Sequence, residues 1–376
     1  MIIYLTFADQ PSGIYSGQVI DTCKYISALV NKPVKLIAFI SLRNFNASKG
    51  KIKNQYSNSI VLPMVPKLKN WRFNAIQLFF ILLFKKSDLI ICRNSIPTVL
   101  ALRLKRLGLI KRVIYDGRGV EYEQIREYGV INDDALAEQI LNCEKLSVGK
   151  SDYQIAVSSS LVHYWRQKFD YSADTFTVLP CTLNSIHEQT QIDSISRIQK
   201  GYGLQDIVIV YCGSVSGWQS FHLMYDFLIA QLQRNKGVKV LFLTKTTPEI
   251  SALINSFPGR VDVRWCSENE VAAYLAICDY GLLLREDNLT NQVAAPVKFA
   301  EYLNAGLNVI ISKAVGDFSE FVEKHACGYV YSGEYHELAT VSREQKETNK
   351  QLAATWFSKN SEKIKNKFLN IISNAC

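Results

Sequence analysis

No D-x-D triplet occurs anywhere in the 376 residues, nor does C-x-x-C or H-E-x-x-H. A divalent-ion site built on an acidic triplet is thereby disfavoured, and so are zinc sites, since the five histidines show no paired spacing. The nine cysteines are scattered from Cys23 to Cys376, an odd number without metal spacing, and read as reduced, mostly buried thiols of a cytoplasmic protein. Long hydrophobic runs are missing too. The longest apolar block, Leu78 to Phe84, is far shorter than the ~20 residues of a spanning helix. The chain enters an apolar strand at Met1 with no basic n-region or cleavage site, so no secretory signal is expected. Tandem repeats and low-complexity tracts are absent.

Acidic residues are scarce at one end. Residues 1–112 hold 18 Lys and Arg against only Asp9, Asp21 and Asp88, a net charge of +15, whereas residues 186–376 hold 19 basic and 20 acidic side chains. The first part should therefore attract an anionic surface, and the second should not. With no zinc finger or RNP-type strand, nucleic acid is not expected as the partner.

What is present is a rhythm. Short apolar runs alternate with helix-like stretches, the pattern of parallel sheets covered by helices. The runs are 2–7, 34–40, 89–92, 113–115, 153–157 and 176–179, then, after a polar stretch at 181–203, 207–212, 238–243, 261–265, 281–284, 309–311 and 328–331. Two doubly wound Rossmann-like α/β domains are predicted, 1–185 and 186–345, followed by a helical tail at 346–376 that packs back on the first domain.

Each half opens with a strand and two glycines four apart, Gly13 and Gly17 in PSGIYSGQ and Gly213 and Gly217 in GSVSGWQ. Such loops let a ligand approach the backbone and aim helix amides at an anion, although a tight strand-to-helix turn needs glycine as well. Neither loop is G-x-G-x-x-G or a P-loop, which removes the main support for dehydrogenase and NTPase readings.

The sharpest segment is AAPVKFAEYLNAGLNVIIS, residues 294–312. Pro296 suits the first position of a helix and Gly306 the residue past its end. The helix would start at the carboxyl end of the 281–284 strand, where open sheets bind ligands. Lys298 would lie in the first turn, where the helix dipole disfavours a cation unless an anion joins it, and a diphosphate would resolve that conflict. Glu301, on the same face, can accept hydroxyl hydrogen bonds. A solvent-exposed Lys298–Glu301 pair worth ~0.2–0.5 kcal/mol is the competing explanation.

PVKFAEYLNAGLNVIIS resembles the donor-nucleotide motif of retaining family 4 glycosyltransferases, the group 1 enzymes of the GT-B fold. Looser similarity covers nearly the whole chain, through the first glycine loop, VLPCTLN, YCGSVSGWQS and DYGLLLRED. The resemblance implies two domains facing across a cleft and a nucleotide-sugar donor held by the second, with Glu301 on the ribose and Lys298 and Arg285 on the leaving diphosphate. Gly213, Ser214 and Pro296 would line the same donor site. No metal or other cofactor is implied. The family often carries a further glutamate eight residues before Glu301, where this chain has Val293, and basic residues after the second-domain glycine loop, where it has none. Asn291 and Gln292 are the nearest polar residues for the sugar, though a plain loop explains them equally. In the first domain, Asp116, Arg118 and Glu121 follow a strand near the family's acceptor-side motif, with Gly13 and Gly17. A local Asp116–Arg118 pair is the alternative.

The stretch KLKNWRFNAIQLFFILLFKK has two readings. Nearly all-round hydrophobicity favours an internal helix. Docking in a membrane interface through Trp71, Phe73, Lys67, Lys69, Lys85 and Lys86 is the other. The expected activity is retaining transfer of a hexose from a nucleoside diphosphate sugar, UDP-linked by preference, to a hydroxyl of a lipid-linked or polysaccharide acceptor in bacterial surface polysaccharide synthesis. The enzyme would attach peripherally to the inner face of the cell membrane. A nucleotide-sugar epimerase of the same fold and a non-catalytic nucleotide- or sugar-binding partner are the rivals.

Overall fold

The computed structural model describes residues 1–84, 86–183, 197, 199–214 and 217–374. The 181–203 linker expected from composition lies for the most part outside them, as do Lys85 and the middle of the second glycine loop. Two compact units are formed, one of Met1–Asn184 with Glu362–Cys376 and one of Ser185–Ser361.

The first unit is built on a seven-stranded parallel sheet in the order β3-β2-β1-β4-β5-β6-β7. These strands are β1 (Ile2–Phe7), β2 (Val34–Ile40), β3 (Ser59–Pro63), β4 (Ser87–Arg93), β5 (Ile110–Gly117), β6 (Tyr153–Ala156) and β7 (Phe176–Val178). Period-two alternation sends Ile2 and Tyr4 into one core cluster and Ile3, Leu5 and Phe7 into the other. Because both faces are covered, β1 reads as an unbroken apolar run. The sequence reading missed β3, an edge strand that ends at a proline.

The second unit carries six parallel strands in the order β10-β9-β8-β11-β12-β13. They are β8 (Ile207–Cys212), β9 (Val238–Leu243), β10 (Val261–Val263), β11 (Tyr280–Leu283), β12 (Asn308–Ser312) and β13 (Gly328–Tyr331). Buried Asp279, just before β11, accepts from the Val208 amide at 2.9 Å and pairs with Arg197 at 3.0 Å and Lys346 at 3.3 Å. Charge and hydrogen bonds together satisfy a carboxylate that would otherwise be costly to bury.

The tail does not pack as one piece from residue 346. Its helix Arg343–Trp356 belongs to the second unit, where the Asn349 amide donates to the Leu307 carbonyl and to Asn308 Oδ1, both at 2.9 Å. Only Glu362–Ser373 joins the first unit, burying Ile364, Phe368, Ile371 and Ile372 at helical spacing in the core beside β1. Asn349 is what the composition of a charged tail hides: one buried amide ties the first of the two helices to β12.

The helix Asn74–Phe84 also departs from expectation. It buries Asn74, Leu78 and Leu82, but the opposite stripe is open, with Ile76, Phe80, Leu83 and Phe84 exposed. Among the described residues, no helix is long and apolar enough to cross a membrane.

Candidate functional site

In both sheets the strand order reverses at one place, between β1 and β4 and between β8 and β11. Loops leaving the carboxyl ends of strands on either side of such a point diverge and leave a crevice.

In the second unit the crevice is served by the helix Val297–Asn304, whose N-cap is Pro296, one position earlier than its expected place inside the helix. The chain leaves the helix through Gly306, whose φ of +85° demands glycine, and then enters β12. The helix is seated by Tyr302. Its ring lies so close to β11 that a Cβ on Gly281 would sit 2.3 Å from it, and its hydroxyl accepts from the Cys212 amide at the end of β8 at 3.1 Å. One side chain thus anchors the helix to both strands flanking the reversal.

That anchoring brings Lys298 and Glu301 over the end of β8. Lys298 Nζ lies 2.6 Å from Glu301 Oε2, and the two side chains are 27% and 18% exposed. Burial alone would lower the pKa of the ammonium, but Glu301 and the Cys212 side chain outweigh it and hold Lys298 above the ordinary lysine value. Arg285 leaves the end of β11 buried, its amide donating to Ser312 Oγ at 2.7 Å. Burial pushes the Tyr211 hydroxyl up to about 12, against the opposing pull of both Arg285 and Lys298. Arg285, just past β11, and Lys298, on the helix anchored at the end of β8, thus lie at the same end of the sheet, where Gly213 and Ser214 follow β8. The Ser214 carbonyl accepts from the Tyr211 hydroxyl.

The remaining residues expected on the donor side divide. Asn291 is buried and donates to the Glu286 carbonyl at 3.1 Å, while its own carbonyl accepts from the amides of Ala294 and Gly316. Exposed Gln292 donates to Asp287 Oδ1 at 2.7 Å. Val293, eight residues before Glu301, is buried, so an apolar side chain packs at that position.

In the first unit, Gly13 starts a short helix capped by Ser12, and Gly17 is buried in the π-helical turn Ser16–Ile20 that follows. Asp116, at the end of β5, is buried, receives the Tyr4 hydroxyl and pairs with Arg118 at 2.9 Å. Arg93, at the end of β4, lies 3.7 Å from Asp9, just past β1. Burial raises the Asp9 carboxyl, offset only in part by Arg93. The Nη1 atoms of Arg93 and Arg118 are buried without a hydrogen-bond partner among the described residues. Glu121 accepts from the Ser95 amide at 2.7 Å, and burial lifts its carboxyl to about 7 against that hydrogen bond. Behind it, buried Glu144 accepts from the amides of Glu121 and Tyr122 at 2.8 and 3.0 Å.

Sequence reasoning missed Arg93, Asp9, Glu144 and Tyr302. Arg93 could have been found as the cation closing the 89–92 strand. Glu144 could have been found as an acid inside the apolar stripe Ile140, Cys143, Ser147 and Val148. Tyr302 gave no signal, since an aromatic at helical spacing is usually core.

No family model and no curated protein matches this chain by sequence. Solved structures do match its shape. HepE from Anabaena, in complex with UDP and glucose, superposes with a TM-score of 0.71 at 16% identity over 99% of both chains. The sucrose-phosphate synthase of Thermosynechococcus elongatus gives 0.70 at 15% identity over 99% of this chain and 98% of that one. WaaG, a glycosyltransferase involved in lipopolysaccharide biosynthesis, gives 0.62 at 12% identity over 100% and 93%. With two α/β units built on parallel sheets and full-length likeness to these proteins, the chain has the GT-B fold.

Proposed function

We propose that the second unit binds a nucleoside diphosphate sugar and that the enzyme transfers its hexose to an acceptor hydroxyl with retention of configuration. The observation that carries this reading is the convergence of Lys298, Glu301 and Arg285 at the β8/β11 reversal, on elements tied together by Tyr302. HepE, of the same fold, was crystallised with UDP, and also with UDP-glucose.

The bond from the sugar's anomeric carbon to the diphosphate breaks and a bond to the acceptor oxygen forms. Negative charge develops on the departing diphosphate, where Lys298, Arg285 and the amides of the first turn of Val297–Asn304 would offset it. The acceptor's proton would leave with that diphosphate, so no side chain is assigned as base. Glu301 would hold the ribose hydroxyls. Asp116, Arg118 and Glu121 would take the acceptor, and a lipid-linked one would suit the basic first 112 residues.

Calorimetric titration with UDP, GDP and ADP, without and then with magnesium, tests the donor site. Saturable, metal-independent binding of one of them is expected. Buried Val293 favours one rival, a binding protein that kept the fold and lost turnover. Release of free nucleotide from the donor in the presence of acceptor separates the two. Isomerisation of the donor with no acceptor present would instead mark an epimerase.

A further inference from the structure

The helix Asn74–Phe84 and the turn before it carry an uncovered apolar surface. Phe73, Ile76, Phe80 and Phe84 are 61, 56, 55 and 87% exposed, and Leu83 is 49% exposed. Their spacing of three and four residues places them on one stripe, opposite the buried Leu78 and Leu82. A contiguous apolar stripe of this kind is a contact surface, unlike single exposed leucines.

Its surroundings say what covers it. Lys67, Lys69, Arg72 and Lys86 are all exposed at its two ends. Buried Trp71 packs beneath the turn, with the guanidiniums of Arg72 and Arg103 over its ring at 5.4 and 5.1 Å. Arg103 also lines a groove of about 550 Å³ with Leu102, Arg106, Leu146 and Lys150. This groove pairs apolar walls with cations. Among the described residues, Asp133 lies 3.5 Å from Lys69, and Asp152 is already paired with Lys105, which lines the same groove.

We propose that this face docks the protein onto an anionic lipid surface, with the Phe73–Phe84 stripe entering the acyl boundary and the groove taking a phosphate headgroup. Eleven helical residues extend only about 16 Å, so the helix lies in the interface plane and does not cross the bilayer. A second copy fits poorly. A two-fold contact brings each patch against its own image, setting Lys67, Lys69, Arg72 and Lys86 against like charges. Docking needs no donor chemistry, so nucleotide binding can fail while docking holds, and the reverse.

The test is co-sedimentation of the full chain with phosphatidylcholine vesicles, with and without phosphatidylglycerol, for wild type, Phe80→Ser/Phe84→Ser and Arg106→Glu/Lys150→Glu. All four positions are at the surface, and an unchanged melting temperature confirms folding. Wild type should bind the anionic vesicles, more weakly as salt rises, and each double variant should bind roughly tenfold or more weakly. Three results would overturn the proposal. One is no binding of wild type to anionic vesicles at low salt. Another is the phenylalanine variant sedimenting as wild type does. The third is a wild-type dimer that this variant converts to monomer, which assigns the face to a second copy.

Discussion

Replacing Lys298 with alanine separates a site residue from a surface pair. The ion pair with Glu301 spans one helical turn and is about a quarter exposed on the lysine side, so removing it should change stability by about 1 kcal/mol or less. Nucleotide binding should respond far more. A charged donor lost from an anion contact costs about 1.5–3 kcal/mol, which is roughly 10- to 150-fold in Kd. The informative assay is calorimetry with two ligands, UDP and inorganic pyrophosphate, on wild type, Lys298→Ala and Glu301→Ala. Lys298→Ala should weaken both ligands by a similar factor, because both present the diphosphate. Glu301→Ala should weaken UDP only. Pyrophosphate should bind that variant as well as wild type or better, since the ammonium no longer has an internal carboxylate to satisfy it. If Lys298→Ala binds UDP within about twofold of wild type, the pair is a surface contact and the donor site lies elsewhere. If Glu301→Ala weakens both ligands equally, its proposed ribose contact is wrong.

Gly281→Ala tests how the helix is held: the new Cβ would fall 2.3 Å from the Tyr302 ring, and Tyr302 can yield only by tilting Val297–Asn304. Destabilisation of about 1–3 kcal/mol in denaturant titrations and weaker UDP binding should appear together, and UDP affinity unchanged in a folded variant would count against this anchoring. The Glu121 carboxyl titrates near 7 when folded, against an ordinary 4.5, so the native state binds the extra proton in between. Stability from this group is complete below about 4.5 and is lost as pH rises towards 7, by at most about 1.4 kcal/mol per pH unit, and Glu121→Gln should flatten that slope. An identical slope in the variant would show that another group titrates.

Much of this architecture is legible in the chain itself. Continuous apolar runs such as Ile2–Phe7 announce strands covered on both faces, and β1, β2, β8, β9 and β13 begin and end where those runs do. Proline before 297 and glycine at 306 bracket the site helix because the backbone angles they need are local. Lys298 and Glu301 share a face by helical spacing alone. Strand order is another matter. Nothing near residue 212 in sequence says that β8 lies beside β11, and it is this neighbour relation, made by Tyr302 and Gly281, that sets Arg285 and Lys298 about the same strand ends. The Arg93–Asp9 and Asp116–Tyr4 contacts are likewise long-range, joining the ends of β4 and β5 to β1. The charged tail looks uniform until Asn349 is buried against β12 and Phe368 beside Tyr25, sending its two helices to different units. For Asn74–Phe84 the sequence determined only that the helix is apolar nearly all round. Which stripe is covered depends on what the rest of the chain has left to bury against it, a property of the packed molecule and of no local segment.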